Sequence, residues 1–477
     1  MTRLTAFITA AVVAASSTFY AQAPDRTKPP VPGPAPALKV PAIQKRALGN
    51  GLPVWIMESH EVPLVQVNLL VFAGSADDPA GKFGLASLTA AMLDEGAGTR
   101  SALEIADTID GLGATLAAAG TVDSTGVRLN VPVAKLGAAL PVMADVALRP
   151  SFPPGDLERV RQERLTSLLQ TRDEAASLAS LAFARAVFGT HRYGTGVMGT
   201  AASLSAMTRD DLVGFHKAHV VPSKAALLVV GDVTPQSVLP LLEQHFGGWK
   251  GTGPARTSLP APPQVPRRRV VIVDKPGVPQ SQIRIGWVGP PRSTPDFFPL
   301  EVMNTMLGGA FSSRLNANLR EEHGYTYGAY SAFDMRRVAG YFSAQAGVQT
   351  DKTAEAVQEF FNEFARVGTF EASELARTKN NIALGYPAEF ETTTQLSRKL
   401  EDVLVHSLPD RYFDRYVGNV QGVTADAVRK AVRTHLDPSR FIVVIVGDRK
   451  KIEPGIAALK LAPTVEVMTV DELLGAR

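Results

Sequence analysis

The chain contains no cysteine, which excludes a disulfide framework and a lipid attached through an N-terminal cysteine. It also lacks a charge excess. Its 49 Lys and Arg against 46 Asp and Glu leave a formal +3, too little to argue for nucleic acid as a partner. The one basic triplet, Arg267-Arg268-Arg269, reads as a solvated joint. The apolar run from Leu4 to Ala15 is too short for a permanent membrane span. No glycine-rich loop follows a strand-like segment, so a phosphate-cradling fold is not indicated.

What is present begins with an address. Arg3, the apolar run and the small residues Ala21 and Ala23 make the pattern of a secretory signal peptide, assigned to residues 1–23. Pro24 disfavours cleavage after Ala23 and Phe19 disfavours cleavage after Ala21, so both ends remain open. A proline-rich stretch, residues 24–40, follows as an extended tether. The expectation is an exported protein with no membrane span in its mature form, periplasmic in a Gram-negative cell.

An internal repeat organises the remainder. "MTRDDLVGFHKAHVVPSKAALLVVGDV" from Met207 matches "VTADAVRKAVRTHLDPSRFIVVIVGDR" from Val423, 216 positions later, in one ungapped register. The register pairs His219 with His435, Pro222 with Pro438 and Gly231 with Gly447. It predicts two homologous domains, 41–250 and 268–460, joined by a proline-rich linker, 251–267, with a tail at 461–477. Within each copy, β-like runs such as "LVQVNLLVFAG" and "AALLVVGD" alternate with helical stretches such as "LGAALPVMADVAL" and the long "GDLERVRQERLTSLLQTRDEAASLASLAFARAVFG". This mixture predicts an α+β fold: two α/β-sandwich domains, each an antiparallel-rich sheet covered by helices.

The order "GKFGLASLTAAMLDEGAGTRS", "LGATLAAAGTVDSTGVRLNVP", "RQERLTSLLQ", "HRYGTGVMGT" and "VVGDV" resembles the insulinase-type (pitrilysin-like, inverzincin) zinc metallopeptidases, with both repeats covered. The resemblance implies a half-clamshell that faces a second one around a chamber for peptides, as in the related mitochondrial processing peptidase. Active members carry H-x-x-E-H on the helix after Gly-Leu-Ala. Two imidazoles four residues apart share a helical face and can bind one zinc, and the glutamate between them can take a proton from the bound water. Here the corresponding positions are Ser87, Ala90 and Ala91, and the distant fourth ligand falls at Gln170. The second copy is apolar at the matching places, Met303, Met306 and Leu307. His216 and His219, three apart, have no third ligand beside them.

The second copy keeps another segment, "NTMLGGAFSSRLNANLREEHGYTYGAYS". By residue type alone Arg320 is a surface ion-pair partner and Tyr327 a core tyrosine. The resemblance instead implies that Arg320 and Tyr327 reach substrate on the opposing half-shell and stabilise an oxyanion. Gly308-Gly309 and Ser312-Ser313 are expected to form a flexible turn ahead of them. The sequence thus reads as a non-zinc-binding subunit, inactive alone, that binds no cofactor itself. Its expected partner is a zinc-bearing insulinase-like chain, forming a heterodimer or larger assembly, and its expected substrates are short or unfolded peptides. The alternative is a non-enzymatic peptide-binding or structural protein of the same fold.

Overall fold

The structure is a computed structural model that describes residues 38 and 40–475. The signal peptide and nearly all of the tether lie outside the described residues. Fourteen strands occur among them. The first half holds β1 (Gln44–Ala47), β2 (Pro53–Glu58), β3 (Leu64–Val71), a short ribbon of β4 (Gly96–Ala97) and β5 (Arg100–Ser101), then β6 (Thr115–Gly120), β7 (Thr125–Pro132) and β8 (Ala225–Gly231). The second half holds β9 (Arg269–Asp274), β10 (Gln280–Gly289), β11 (Thr326–Asp334), β12 (Gly340–Gln349), β13 (Ile442–Gly447) and β14 (Val465–Thr469).

These strands build two six-stranded sheets, ordered β1-β2-β8-β3-β7-β6 and β14-β9-β13-β10-β12-β11. The repeat seen in the sequence therefore survives as topology. In both sheets the late strand, β8 or β13, inserts parallel to β2 or β9 and antiparallel to β3 or β10. The remaining pairs are antiparallel except β14 with β9. Every residue of β8 and β13 is buried, as expected for strands covered on both faces.

Three features differ from the sequence reading. The long helical stretch is two helices, Pro154–Thr171 and Ala175–Phe188, because the chain turns at Arg172–Glu174. Residues 465–469, read as part of a tail, form the edge strand β14 beside β9, whereas in the first sheet the edge strand beside β2 is β1, from the start of the first domain. The Arg267–Arg269 joint is engaged rather than solvated: Arg268 lies over the Phe361 ring at 4.4 Å and Arg269 pairs with Glu466 at 2.7 Å.

One face of each sheet packs on helices of its own half, giving two separate apolar cores. The other face is covered by a helix borrowed from the opposite half. Helix Ala175–Phe188 buries Leu178, Phe183 and Phe188 against Val271, Val273, Val444 and Val446 of the second sheet. Gly286 of β10 admits this helix, since a Cβ there would stand 2.9 Å from the Phe183 ring. Reciprocally, helix Thr393–His406 buries Leu396 and Leu400 against Met57, Leu228 and Val230 of the first sheet.

The second exchange carries a polar clamp. Asn68 on β3 donates to Ser397 Oγ at 2.7 Å and Glu401 Oε1 at 2.8 Å, and Gln66 donates to Asn68 at 2.6 Å. Arg128 on β7 grips Glu401 with Nε at 3.1 Å and Nη2 at 2.9 Å. Such a network stabilises only when complete, because each buried donor left alone keeps its desolvation cost. Glu401→Ala strands Arg128 and Asn68 together. It is expected to cost about 1–3 kcal/mol, read as a lower denaturant midpoint, and an unchanged midpoint means the clamp contributes nothing to joining the halves.

Candidate functional site

The degenerate motif sits on the helix Leu85–Ala91, packed between β6 and the helix Arg209–His219. Its start is fixed tightly. Gly84 has φ +93°, and a Cβ there would meet Met198 O at 2.3 Å, while a Cβ on Gly199 would meet Phe83 O at 1.9 Å; both positions require glycine. The Asp78 carboxylate caps the helix by accepting the Gly84 amide at 2.7 Å and the Ala86 amide at 2.8 Å. Burial pushes that carboxyl up to about 6 even though both amides favour its charged form.

The side chains at the motif positions do not fit a zinc ion. Ser87 and Ala90 are buried, and a methyl group offers no lone pair. Ser87 is already engaged: Arg164, from the helix Pro154–Thr171, donates Nη1 to Ser87 Oγ at 3.0 Å and Nη2 to Ser87 O at 2.8 Å. Burial draws the Arg164 guanidinium below the ordinary arginine range. Gln170 is exposed; six residues beyond Arg164, more than one and a half turns on, it occupies another face of the helix. Among the described residues no three His, Cys, Asp or Glu side chains converge as a metal donor set. His216 bonds the Ala147 carbonyl at 2.9 Å, and His219 meets Lys224 Nζ at 3.1 Å, so they do not act together. Arg164 was not found from sequence, because only the packing of two helices brings it onto Ser87.

Arg320 and Tyr327 lie in the other half. Gly308 and Gly309, expected in a flexible turn, instead close a wide π-helical turn, Thr305–Gly309. Gly308 is pressed so close to β11 that a Cβ would stand 2.4 Å from Ser331 Oγ. Arg320 belongs to a second such turn, Ala317–Glu322, a geometry that concentrates at functional sites. Its guanidinium stacks over Phe311 at 4.7 Å and meets Glu321 at 3.2 Å. Phe311 is itself 65% exposed.

Tyr327 is 89% exposed, so the core-tyrosine reading is wrong. The cause is a β-bulge: β11 pairs Thr326 with Val348 and then slips before Ala329 pairs with Ala346, leaving Tyr327 in the irregular stretch of an edge strand. Among the described residues its hydroxyl has no partner. Asn316, fully buried, ties the two elements together. Its Nδ2 donates to Phe311 O at 2.8 Å, and its Oδ1 accepts the Ala329 amide at 3.3 Å. A buried asparagine thus ties the backbone of Phe311, whose ring lies beneath Arg320, to the strand bearing Tyr327, a role no sequence spacing announces.

The Arg164 contact has a measurable consequence. Ser87→His, Ala90→Glu, Ala91→His and Gln170→Glu together restore the residue types of the motif, with the two imidazoles on one helical face, but leave a cation against the first of them. Zinc retention is expected to rise only when Arg164→Leu is added, read by metal analysis after dialysis. Stoichiometric zinc in the fourfold variant overturns the assignment of Arg164 as the obstacle.

The model of the insulinase family (peptidase family M16) matches residues 54–201, and that of the peptidase M16 inactive domain matches 206–382. The chain is 31% identical over 327 residues to an uncharacterized zinc protease of Mycobacterium leprae, covering 68% of this chain and 73% of that one. It is 22% identical over 408 residues to a protein of Helicobacter pylori named a non-peptidase homolog, covering 84% and 93%. Its fold superimposes with a TM-score of 0.80 on the crystal structure of a peptidase M16 inactive domain from Pseudomonas fluorescens, at 26% identity over 85% of this chain and 98% of that one. With both halves of the repeat matched and the motif helix in its place without its ligands, the chain belongs to the insulinase family, peptidase family M16.

Proposed function

We propose that this chain is the non-zinc-binding subunit of an exported, periplasmic two-chain metallopeptidase. It binds no zinc; a zinc-bearing insulinase-like partner supplies the metal, and this chain presents Arg320 and Tyr327 to the peptide held there. The observation that carries the reading is the state of Tyr327. An aromatic ring held outward at a bulge, with its hydroxyl free, has no evident use in this chain's own packing. Beside it the Arg320 fork is oriented by Phe311. A phenol and a guanidinium are donors suited to a carbonyl oxygen as it gains charge.

A second reading, a peptide-binding or structural protein without catalysis, is favoured by the Ser87–Arg164 contact, which turns the motif helix into ordinary packing. The two readings part at Arg320 and Tyr327, since a scaffold does not need an outward phenol without a partner beside a guanidinium.

The test uses the complex reconstituted with the zinc-bearing chain. Tyr327→Phe keeps the ring and removes the hydroxyl; Arg320→Ala removes the fork. Each is expected to lower turnover by about 10²- to 10³-fold, with assembly, zinc content of the partner and peptide affinity nearly unchanged. Wild-type turnover from both assembled variants assigns the chain to the structural reading.

A further inference from the structure

A cavity of about 450 Å³ lies away from both sites, between the first sheet and the linker. Phe72, Ser223, Lys224, Arg256 and Leu404 line it, with linker backbone from Thr252 to Ala255. Lys224 is only 6% exposed. Its stem is clamped beneath Gly253, where a Cβ would stand 2.7 Å from Lys224 Cδ. Its ammonium donates to a neutral acceptor, His219 Nδ1, at 3.1 Å, and among the described residues it has no carboxylate partner. Arg256 likewise donates to a backbone oxygen, Asp123 O, at 3.1 Å, and lies over the Phe72 ring at 5.5 Å.

Neither nearby acid makes an ion pair with Lys224 or Arg256, although the charges of Asp77 and Asp123 act on them from a distance. Asp77 accepts the Gly74 amide at 3.1 Å and the Thr257 hydroxyl. Asp123 accepts Tyr193 OH at 3.0 Å and Arg337 Nε at 3.3 Å. Three cations, Lys224, Arg256 and Arg337, thus face two carboxylates, and one positive charge is left over. Burial lowers the affinity of Lys224 and of Arg256 for their protons; for Lys224 the Asp77 charge offsets part of this and Arg256 adds to it. Buried charges are ordinarily paired.

The second copy of the repeat shows what pairing looks like at this place. There, 216 positions on, Lys224 corresponds to Arg440 and His219 to His435. Arg440 is exposed and paired with Asp437 at 3.2 Å, and His435 is paired with Asp296 at 2.8 Å. In the first copy the positions of those two acids hold Val221 and Ala80. The second copy also has a cavity here, about 390 Å³ and lined by His435, Asp437 and Arg440, but that cavity carries its own acid; the internal anion is missing only in the first copy, where the cation is buried.

We infer that this cavity binds a small monocarboxylate with an apolar body, the carboxylate set between Lys224 and Arg256 and the body against Phe72 and Leu404. One negative charge balances the surplus, which a phosphate dianion exceeds. The volume lies within the range of small-ligand pockets, about 300–1,000 Å³, and holds an acylated amino acid.

Calorimetric titration of the purified chain tests this without any partner subunit. N-acetyl-leucine is expected to bind at least about tenfold more tightly than its uncharged analogue N-acetyl-leucinamide and than inorganic phosphate, since a tenfold difference needs only about 1.4 kcal/mol. Lys224→Met and Arg256→Gln are each expected to remove that preference. Val221→Asp, which supplies the acid that the second copy has, is expected to do the same, and unfolding curves verify that each variant is folded. Absence of acid binding at millimolar concentration, equal binding of acid and amide, tighter binding of phosphate, or a wild-type constant in both folded Lys224→Met and Arg256→Gln overturns the assignment.

Discussion

The structure depends on an exchange of helices. Each sheet has a face that its own half leaves uncovered, and a helix from the opposite half fills it: Ala175–Phe188 on the second sheet and Thr393–His406 on the first. Apolar burial drives both contacts, and the exchange makes the two halves one folding problem. Each sheet is built from its own strands, but one of its faces is covered only by the other half's helix. The two contacts differ in kind, however. The first is aliphatic and aromatic, so it supplies adhesion; the second adds Asn68, Arg128, Ser397 and Glu401, whose directional bonds hold one register of helix on strand.

That frame explains how the motif helix keeps its place with no metal donors on it. The motif helix is held from outside its ligand positions: by Asp78 at its amides, by glycine contacts at Gly84 and Gly199, and by Arg164 on Ser87. None of these needs a metal. Replacing imidazole and carboxylate by alanine removes groups whose burial requires a charge partner, and Arg164 satisfies the serine that remains. The same frame keeps Arg320 and Tyr327 firmly mounted on the second half, through Asn316 and the paired flank of β11.

Duplication also lets one copy be compared with the other inside a single chain. Sheet order, the parallel insertion of β8 and β13 and the cation after the late helix are common to both halves. The edge strands beside β2 and β9 are not, because β1 comes from the start of the first domain and β14 from the tail after the second. The counter-acids Asp296 and Asp437 belong to the second half alone, and that asymmetry is chemical rather than topological.

The sequence by itself determined the repeat, the two-domain α/β architecture and the absence of imidazole and carboxylate donors at Ser87, Ala90 and Ala91, because these follow from residue type at fixed spacing: period-two strands, the 216-residue register and methyl groups without lone pairs. It also located the segment bearing Arg320 and Tyr327. The tertiary structure decided what touches what. The long helical stretch 155–189 carries no mark that its second part covers the other half's sheet, since an apolar helical face specifies burial and not a partner. Nothing near Ser87 in the chain announces Arg164, 77 residues away. The exposure of Tyr327 depends on a bulge that arises only when β11 meets β12. Local pattern fixes which surfaces must be buried or paired; only the packing of distant segments chooses the surfaces and side chains that meet.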